Sequence, residues 1–580
     1  MKIEKRFQGV AVSPGIARGI AYIYRPDEEL PPRRTVTDTD AEVVRFQTAL
    51  TQTCRQIIEL RDRVAQSVGS GDAEIFDAHL MIVEDGVVTG EVERMIRTER
   101  CNAEHAFHGV TQRYAKTFSE MEDAYLRERA IDLADVERRV IHNLLGRDLA
   151  GLGALDSPHV VFAPNLTPGD TAQMNRAYVL GFCTATGGKV SHTAIMARSL
   201  NIPAIVGIHD VLTQIESGDE VLLDGYSGLV VVNPTPATLS EYGELQAQRR
   251  VMESELTQLR ETVSATRDGR RVTLSANIET DNDVWTVVES GAEGVGLFRT
   301  EFLFIGRDDL PGEDEQAAAY RTVVEAVRPH PVIIRTLDLG GDKLHDILHA
   351  VAEENPFLGW RAIRVCLERT DVFKTQLRAI LRASTAGGVQ LMFPMISGLA
   401  ELREAKRLLD ECRVELRVEG RAFDEKMQVG MMIEVPSAAV IADLFAREVD
   451  FFSLGTNDLV QYTVAADRGN EHIAHLYEPT HPAVIRLIKQ TVEAAHGAGI
   501  WVGVCGEMGG DPVLIPLLIG LGVDELSCGV AVLPRVKRAV QSLDGGACRA
   551  LAAEALECST APEILARCER IARANYPELL

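Results

Sequence analysis

The sequence predicts a multidomain α/β protein whose C-terminal half is a (β/α)8 barrel. Three observations carry this. From Arg271 onward, strand-like segments at 272–278, 294–300, 332–338, 390–396, 428–434, 450–456, 502–507 and 525–529 alternate with helical ones. Eight such repeats over roughly 300 residues is the count of a barrel, and a doubly wound open sheet is the competing architecture. Before residue 233 the chain instead mixes short strands with one long helical block, so a second α/β domain is expected there. Finally, 580 residues exceed what one hydrophobic core organises, and the length predicts roughly three to four domains.

Taken in order, residues 7–23 read as two short strands around a Ser13-Pro14-Gly15 turn. Helical periodicity follows over 38–68, with Val43, Phe46, Leu50, Ile57, Leu60 and Val64 near heptad spacing. Segments 72–98, 103–121 and 122–146 continue it, which predicts a four-helix unit inserted into the α/β domain. Strand signals return at 160–163, 177–181, 204–207, 220–224 and 229–232, with Asp224-Gly225 and Gly228 marking a hairpin between the last two. Pro234 and Pro236 end this sheet, and the polar stretch 238–262 reads as a linker helix with little to bury.

Bulk properties narrow the function classes. The net charge of −25 disfavours nucleic acid and anionic membranes as partners and favours a basic protein surface. Ten cysteines without a CxxC pair argue against a disulfide framework or a zinc site. With no long apolar run and no signal-peptide core, the chain is expected to be cytoplasmic.

Two regions carry chemistry. In Gly187-Gly188-Lys189-Val190-Ser191-His192-Thr193-Ala194-Ile195-Met196-Ala197-Arg198, a glycine turn precedes a helix, placing His192 at or near a helix N-terminus. Unpaired N–H groups there stabilise an anion, and Arg198 is a candidate second contact for a phosphoryl group. A buried, satisfied histidine is an equal reading of this stretch alone. The second region is the set of strand ends in the barrel. Arg299, Arg335, Arg361 and Arg468 converge on one rim, suited to a ligand with phosphate and carboxylate groups. Glu434 and Asp458 are an oxygen-ligand pair for Mg²⁺, or else counter-charges for those arginines. Asn457 can donate to a phosphoryl oxygen. Cys505, between Gly503 and Gly506, is expected in an accessible position, as an acid or a nucleophile, with a packed core cysteine as the alternative reading.

The Gly187–Arg198 stretch, Gly294-Val-Gly-Leu-Phe-Arg-Thr-Glu-Phe302 and the block from Asp450 to Asn470 resemble enzyme I of the phosphoenolpyruvate:sugar phosphotransferase system, essentially end to end. The resemblance implies a phosphohistidine at His192, with Thr171 and Arg198 supporting the phosphate. It implies phosphoenolpyruvate held by Arg299, Arg335, Arg361, Asn457, Asp458 and Arg468, Mg²⁺ on Glu434 and Asp458, and Cys505 protonating the enolate carbon. It further implies that the inserted helical domain docks the phosphocarrier protein HPr, with His79 in Glu74–Met81 as a contact, although from the residues alone His79 is equally a histidine on the bundle face, and that the barrel dimerises. The domains are then 1–35 with 147–233 for the swivelling phosphohistidine domain, 36–146 for the HPr-binding insertion, 234–262 for the linker and hinge, and 263–580 for the barrel. No Gly-rich nucleotide-binding region precedes the histidine motif, unlike in pyruvate phosphate dikinase and phosphoenolpyruvate synthase, which resemble one another in carrying one. Lys189-Val190 departs from the Arg-Thr common in the family, which keeps a positive charge but loses a guanidinium fork. A lyase-type barrel enzyme with an idle His192 and a catalytically silent HPr-binding protein are the alternative readings.

Overall fold

The fold was taken from a computed structural model, which describes every residue except 1, 26–31, 68–69, 120–123, 148–151, 189–191, 201, 306, 308, 341–352, 354, 469 and 471. The chain divides into two compact units, Met1–Arg249 and Arg250–Leu580.

The first unit is built on an eight-stranded mixed sheet. Its strands are β1 (Lys5–Gln8), β2 (Val10–Ser13), β3 (Ile16–Ile23), β4 (His159–Ala163), β5 (Val179–Thr184), β6 (Ala204–Val206), β7 (Glu220–Asp224) and β8 (Leu229–Val232), in the order β1-β8-β7-β3-β4-β5-β6-β2. Strands β3 to β6 are parallel and central; Val160, Val161 and Phe162 of β4 are fully covered on both faces. Three strands stand where the sequence predicts two before residue 24, because Gly9 separates β1 from β2 and sends them to opposite edges of the sheet. A Cβ at Gly9 would lie 2.5 Å from the Ile208 side chain, so only glycine lets the chain cross there. Strand β5 starts later than expected, since Asn175 folds the preceding segment into a turn, its Oδ1 accepting from Ala177 N at 2.9 Å.

Between β3 and β4 the chain leaves the sheet as helices: α1 (Thr39–Ser67), α2 (Ser70–Glu84), α3 (Gly86–Glu99), α4 (Ala103–Ser119) and α5 (Ala124–Leu145). Val43, Phe46, Ile57, Leu60 and Val64 form the buried stripe of α1. The predicted helix 72–98 is in fact two. Asp85 breaks it by accepting the amides of Val87 (2.7 Å) and Val88 (3.1 Å), capping α3 instead of continuing α2. The chain then adds α6 (Pro168–Ala172), α7 (His192–Ser199), α8 (Val211–Gln214) and α9 (Pro236–Gln258). Helix α9 occupies the predicted linker, but its first half is packed: Tyr242 is buried against Leu222 and Val231.

The second unit is a closed, all-parallel barrel of β9 (Thr273–Ile278), β10 (Val295–Arg299), β11 (Val332–Arg335), β12 (Val389–Phe393), β13 (Gln428–Ile433), β14 (Phe451–Leu454), β15 (Trp501–Val504) and β16 (Glu525–Gly529). Pairing of β16 with β9, from Glu525↔Thr273 to Gly529↔Asn277, closes it and rules out the open sheet. Several strands end earlier than predicted, so that Thr336 to Asp338 and Gly455 to Asp458 belong to the rim. Inside, Leu297, Ile333, Met392, Met432, Phe451 and Cys505 pack together, and Phe451 stacks on Trp501 with centroids 4.7 Å apart. Among the described residues no helix is long and apolar enough to cross a membrane.

One interior group works against stability. The Glu525 carboxyl is buried over Gly503, where a Cβ would lie 2.8 Å from Oε2, and its only hydrogen-bond partner among the described residues is the Ser275 hydroxyl. Burial raises its pKa from 4.5 to about 7. A folded-state pKa above the unfolded one means that this carboxyl costs nothing below pH 4.5, and that its penalty grows between pH 4.5 and 7 and is complete above. The size is about 3 kcal/mol. Glu525→Gln is therefore expected to raise the denaturation midpoint of the barrel unit at pH 8 and to leave it nearly unchanged at pH 4.5. All three tryptophans, Trp285, Trp360 and Trp501, lie in this unit, so intrinsic fluorescence reads the transition.

Candidate functional site

The rim at the C-terminal ends of the barrel strands holds a cleft of about 420 Å³ lined by all four predicted arginines, Arg299, Arg335, Arg361 and Arg468, with Glu434, Asn457, Asp458 and Cys505. Parallel closure explains the convergence, since every strand delivers its C-terminal residues to the same end.

Arg335 ends β11. Its Nη2 lies 2.9 Å from Glu301 and its Nη1 2.9 Å from Asp338. Arg361 donates to Asp338 at 2.8 Å and to Asp458 at 3.3 Å, and to the Tyr462 hydroxyl at 3.1 Å. Asp338 thus bridges two guanidinium groups, and its own amide donates to Glu301 at 2.8 Å. Burial opposes the charge on both arginines, but carboxylates outweigh it, Glu301 and Asp338 at Arg335 and Asp338 and Asp458 at Arg361. Both guanidinium groups are held above their ordinary pKa. The buried amide of Gln376 ties the two rim segments together: Oε1 accepts from Leu337 N at 2.9 Å and Nε2 donates to the Thr300 hydroxyl at 3.0 Å.

Glu434 immediately follows β13 and is 1% exposed. Its Oε1 accepts from the Met395 amide at 2.6 Å, and Gly455 leaves room for Oε2, which a Cβ there would approach to 2.7 Å. Burial, with repulsion from Asp458 and Asp338, raises its pKa to about 8. Asn457 and Glu507 form a reciprocal pair, Nδ2 to Oε1 at 3.1 Å and Glu507 N to Oδ1 at 3.0 Å. Arg468 lies 3.6 Å from the same Glu507 oxygen, and Arg299 donates to Glu279 at 2.9 Å at the cleft mouth.

Cys505 is 3% exposed, which corrects the expectation of an accessible thiol: β15 ends one residue before it and the side chain points into the barrel interior. Its Sγ lies 3.7 Å from the Leu454 carbonyl. Burial raises its pKa to about 11, against the opposing effects of Ser453 and Arg335. A thiol held protonated is an acid rather than a nucleophile.

In the first unit, His192 is the first residue of α7, and the following Thr193 hydroxyl anchors that end by donating to the Leu166 carbonyl at 2.6 Å. Lys189 and Val190 lie outside the described residues. The two predicted phosphate contacts each make a hydrogen bond to a backbone carbonyl. The buried Thr171 hydroxyl donates to the Thr167 carbonyl at 2.9 Å within α6. Arg198 stands in the last turn of α7, about 9 Å along the axis from its start, and donates to the Val12 carbonyl at 3.4 Å. His79 is 1% exposed, so its ring is not part of a docking surface. It sits 3.3 Å from Asp132 and 3.7 Å from Asp135, in a buried network that continues through Thr167 and Arg138 to Asp170 and the Tyr24 hydroxyl. Its place on the apolar face of α2 follows from the spacing of Phe76, His79 and Val83, all buried.

Sequence reasoning missed Tyr462 and Gln376, and placed Glu301, Asp338 and Glu507 at the strand ends of the rim without giving them a role. The signal for Glu301 and Asp338 is visible in hindsight: Arg299-Thr-Glu301 and Arg335-Thr-Leu-Asp338 each follow an arginine with a carboxylate at the strand end.

Comparison with known proteins places this geometry. Models of PEP-utilising enzymes match three stretches, the N-terminal model over residues 8–129, the mobile domain over 155–228 and the PEP-binding domain over 253–545. The phosphoenolpyruvate-protein phosphotransferase of Staphylococcus carnosus (strain TM300) is 44% identical over 563 residues, 97% of this chain and 98% of that protein. Its namesake from Geobacillus stearothermophilus is 44% identical over 567 residues, 98% of each. An NMR solution structure of Enzyme I (nEIt) is 41% identical, covering 42% of this chain and 99% of that one, with a TM-score of 0.37. Such identity, sustained across both units and nearly the full length of both sequences, assigns the chain to the family of phosphoenolpyruvate-protein phosphotransferases.

Proposed function

We propose that the protein is a phosphoenolpyruvate-protein phosphotransferase. It transfers the phosphoryl group of phosphoenolpyruvate to its own His192 and then to the carrier HPr, releasing pyruvate, as the first step of sugar phosphotransferase transport. The observation that carries this reading is the single cleft in which four arginines, a reciprocally held asparagine, two facing carboxylates and a buried thiol meet.

Charge bookkeeping in that cleft is informative. Once Glu434 is ionised, the four arginines are balanced by Glu301, Asp338, Glu434 and Asp458, so the protein groups alone then offer little net attraction to a substrate that carries both a carboxylate and a phosphate. Glu434 and Asp458 suit a hard divalent cation, because a cation between them relieves their mutual repulsion. Mg²⁺ commonly takes one or two carboxylates, with substrate and water completing its shell. When bound, Mg²⁺ supplies charge neutralisation at the phosphoryl and carboxylate oxygens.

The chain's own residues do the rest. Arg335 and Arg361, held rigidly by Asp338, present fixed positive charge to the substrate without reorganising during the reaction. Asn457 and Arg468, released from Glu507, donate to the anionic groups. Neutral His192 attacks the phosphorus, the N–P bond forms as the bond to the enol oxygen breaks, and the enolate stays in the cleft. Cys505 gives its thiol proton to the enolate carbon. The helix N-terminus at His192 stabilises the phosphoryl group in transit. In the helical insertion, docking of HPr falls to exposed members of the segment resembling its docking region. Met81 is 60% exposed. Cytoplasmic location and a homodimer formed through the barrel belong to the same reading.

His192→Ala is expected to abolish acid-labile labelling of the protein by ³²P-phosphoenolpyruvate; retained label would overturn the assignment. Chelation of divalent cations stops the same labelling and added Mg²⁺ restores it, while Glu434→Gln raises the Mg²⁺ concentration for half-maximal rate by about tenfold or more. Met81→Asp leaves self-phosphorylation within about twofold of wild type and slows transfer to HPr by about tenfold or more, measured by following label from one protein to the other.

A further inference from the structure

Beneath Cys505 one side of the barrel is polar. Strands β9 and β16 carry Ser275, Asn277, Glu525 and Ser527, and the glycines opposite make room for them. A Cβ at Gly296 would lie 2.5 Å from the Ser527 hydroxyl. The Ser527 Oγ donates to Asn277 Oδ1 at 2.6 Å, and Asn277 Nδ2 donates to the Cys505 carbonyl at 3.0 Å. The Cys505 carbonyl, which can only accept, decides which way the amide faces, because a flipped amide would set Oδ1 against it; the Ser527 hydroxyl then holds Oδ1 in that orientation by donating to it.

This bond is not part of the barrel ladder. Strand β15 pairs with β16 through Gly503 and Val504 only, so the Cys505 carbonyl lies past the last rung. Asn277 comes from β9, the strand beyond β16, and reaches across it. On the opposite side the Cys505 amide donates to the Leu454 carbonyl at 3.2 Å. The cysteine is therefore gripped at its N–H by β14 and at its C=O by Asn277, and the two bonds fix the backbone from which the thiol projects.

We propose that Asn277, oriented by Ser527, is a positioning residue that aims the Cys505 thiol at the substrate carbon. The proposal rests on the reading of Cys505 as the acid. In that step the enolate C=C electron pair takes the thiol proton, a C–H bond forms, the carbonyl of pyruvate is completed and a thiolate is left. A thiol held in one direction delivers its proton to one face of the enolate. An enolate that outlasts a misaimed thiol takes a proton from water on either face.

The test uses phosphoenolpyruvate labelled stereospecifically at C3 with deuterium and tritium, converted by the full-length protein in ordinary water, with the pyruvate methyl group analysed for chirality. Wild type is expected to give a chiral methyl group. Asn277→Ala, Ser527→Ala and Asn277→Asp, the last matching the native shape without an N–H to give, are expected to slow single-turnover pyruvate formation about ten- to a hundredfold. They should keep the KM for phosphoenolpyruvate within about twofold and lose methyl chirality. Wild-type rate and chirality in these variants, or a parallel rise in KM that accounts for the lost rate, overturns the proposal. Should Asn277→Ala not fold, Ser527→Ala and the isosteric Asn277→Asp decide alone. Cys505→Ser separates the two levels: if it too retains rate and chirality, the acid assignment fails. If it loses both while the Asn277 and Ser527 variants do not, only the positioning role fails.

Discussion

Asp338 is the contact on which the candidate site depends. One carboxylate is ion-paired with both Arg335 and Arg361, which arrive from different segments of the rim, and its own amide is held by Glu301. In water such pairs contribute little, because each group gives up good solvation for a screened attraction. Inside the barrel mouth the alternatives are worse. A buried arginine without its carboxylate is left uncompensated, so the cluster persists as a unit or not at all. What it gains is less stability than rigidity: two guanidinium groups fixed before any substrate arrives.

Barrel closure makes that cluster possible, and closure was legible in the sequence. Eight strand-like runs separated by helical stretches left few topologies, and the residues ending those runs announced one rim. The thiol's environment was less legible. Gly503 and Gly506 around Cys505 look like an exposed turn, yet they serve packing. Gly503 admits the Glu525 carboxyl, and a Cβ at Gly506 would lie 2.0 Å from the Thr456 hydroxyl. A glycine beside a functional residue signals close approach without saying by what. The counter-charges escaped for a different reason: Glu301 and Asp338 are ordinary strand-end acids until the fold shows which guanidinium each one faces.

In the first unit the periodic signal was reliable and the single-residue inferences were not. The stripe Val43, Phe46, Ile57, Leu60 and Val64 fixed the buried face of α1, whereas one aspartate at residue 85 was enough to divide a predicted helix. His79 illustrates the same limit. A histidine in a docking-like segment reads as a contact, but its helical spacing with Phe76 and Val83 puts it inside. There it joins Asp135, Thr167, Arg138 and Asp170 in tying the helical insertion to α6 and to the loop whose Leu166 carbonyl holds Thr193, next to His192. The residue belongs to the buried framework around the start of α7 and not to the exposed face of α2.

Burial acts in opposite senses on the groups that share the barrel cleft, and the contrast accounts for how an anionic substrate is admitted. Desolvation raises the Glu434 carboxyl to about 8 and the Cys505 thiol to about 11, favouring the neutral form of each. The same desolvation fails to discharge Arg335 and Arg361, since each already faces two carboxylates. An incoming anion therefore meets a thiol that burial keeps neutral and cations unable to lose their positive charge. In the proposed reaction the thiol's raised pKa keeps the proton in place until an enolate carbon, a much stronger base than water, is generated beside it. Depth in the barrel, more than the identity of any one residue, sets that order of events.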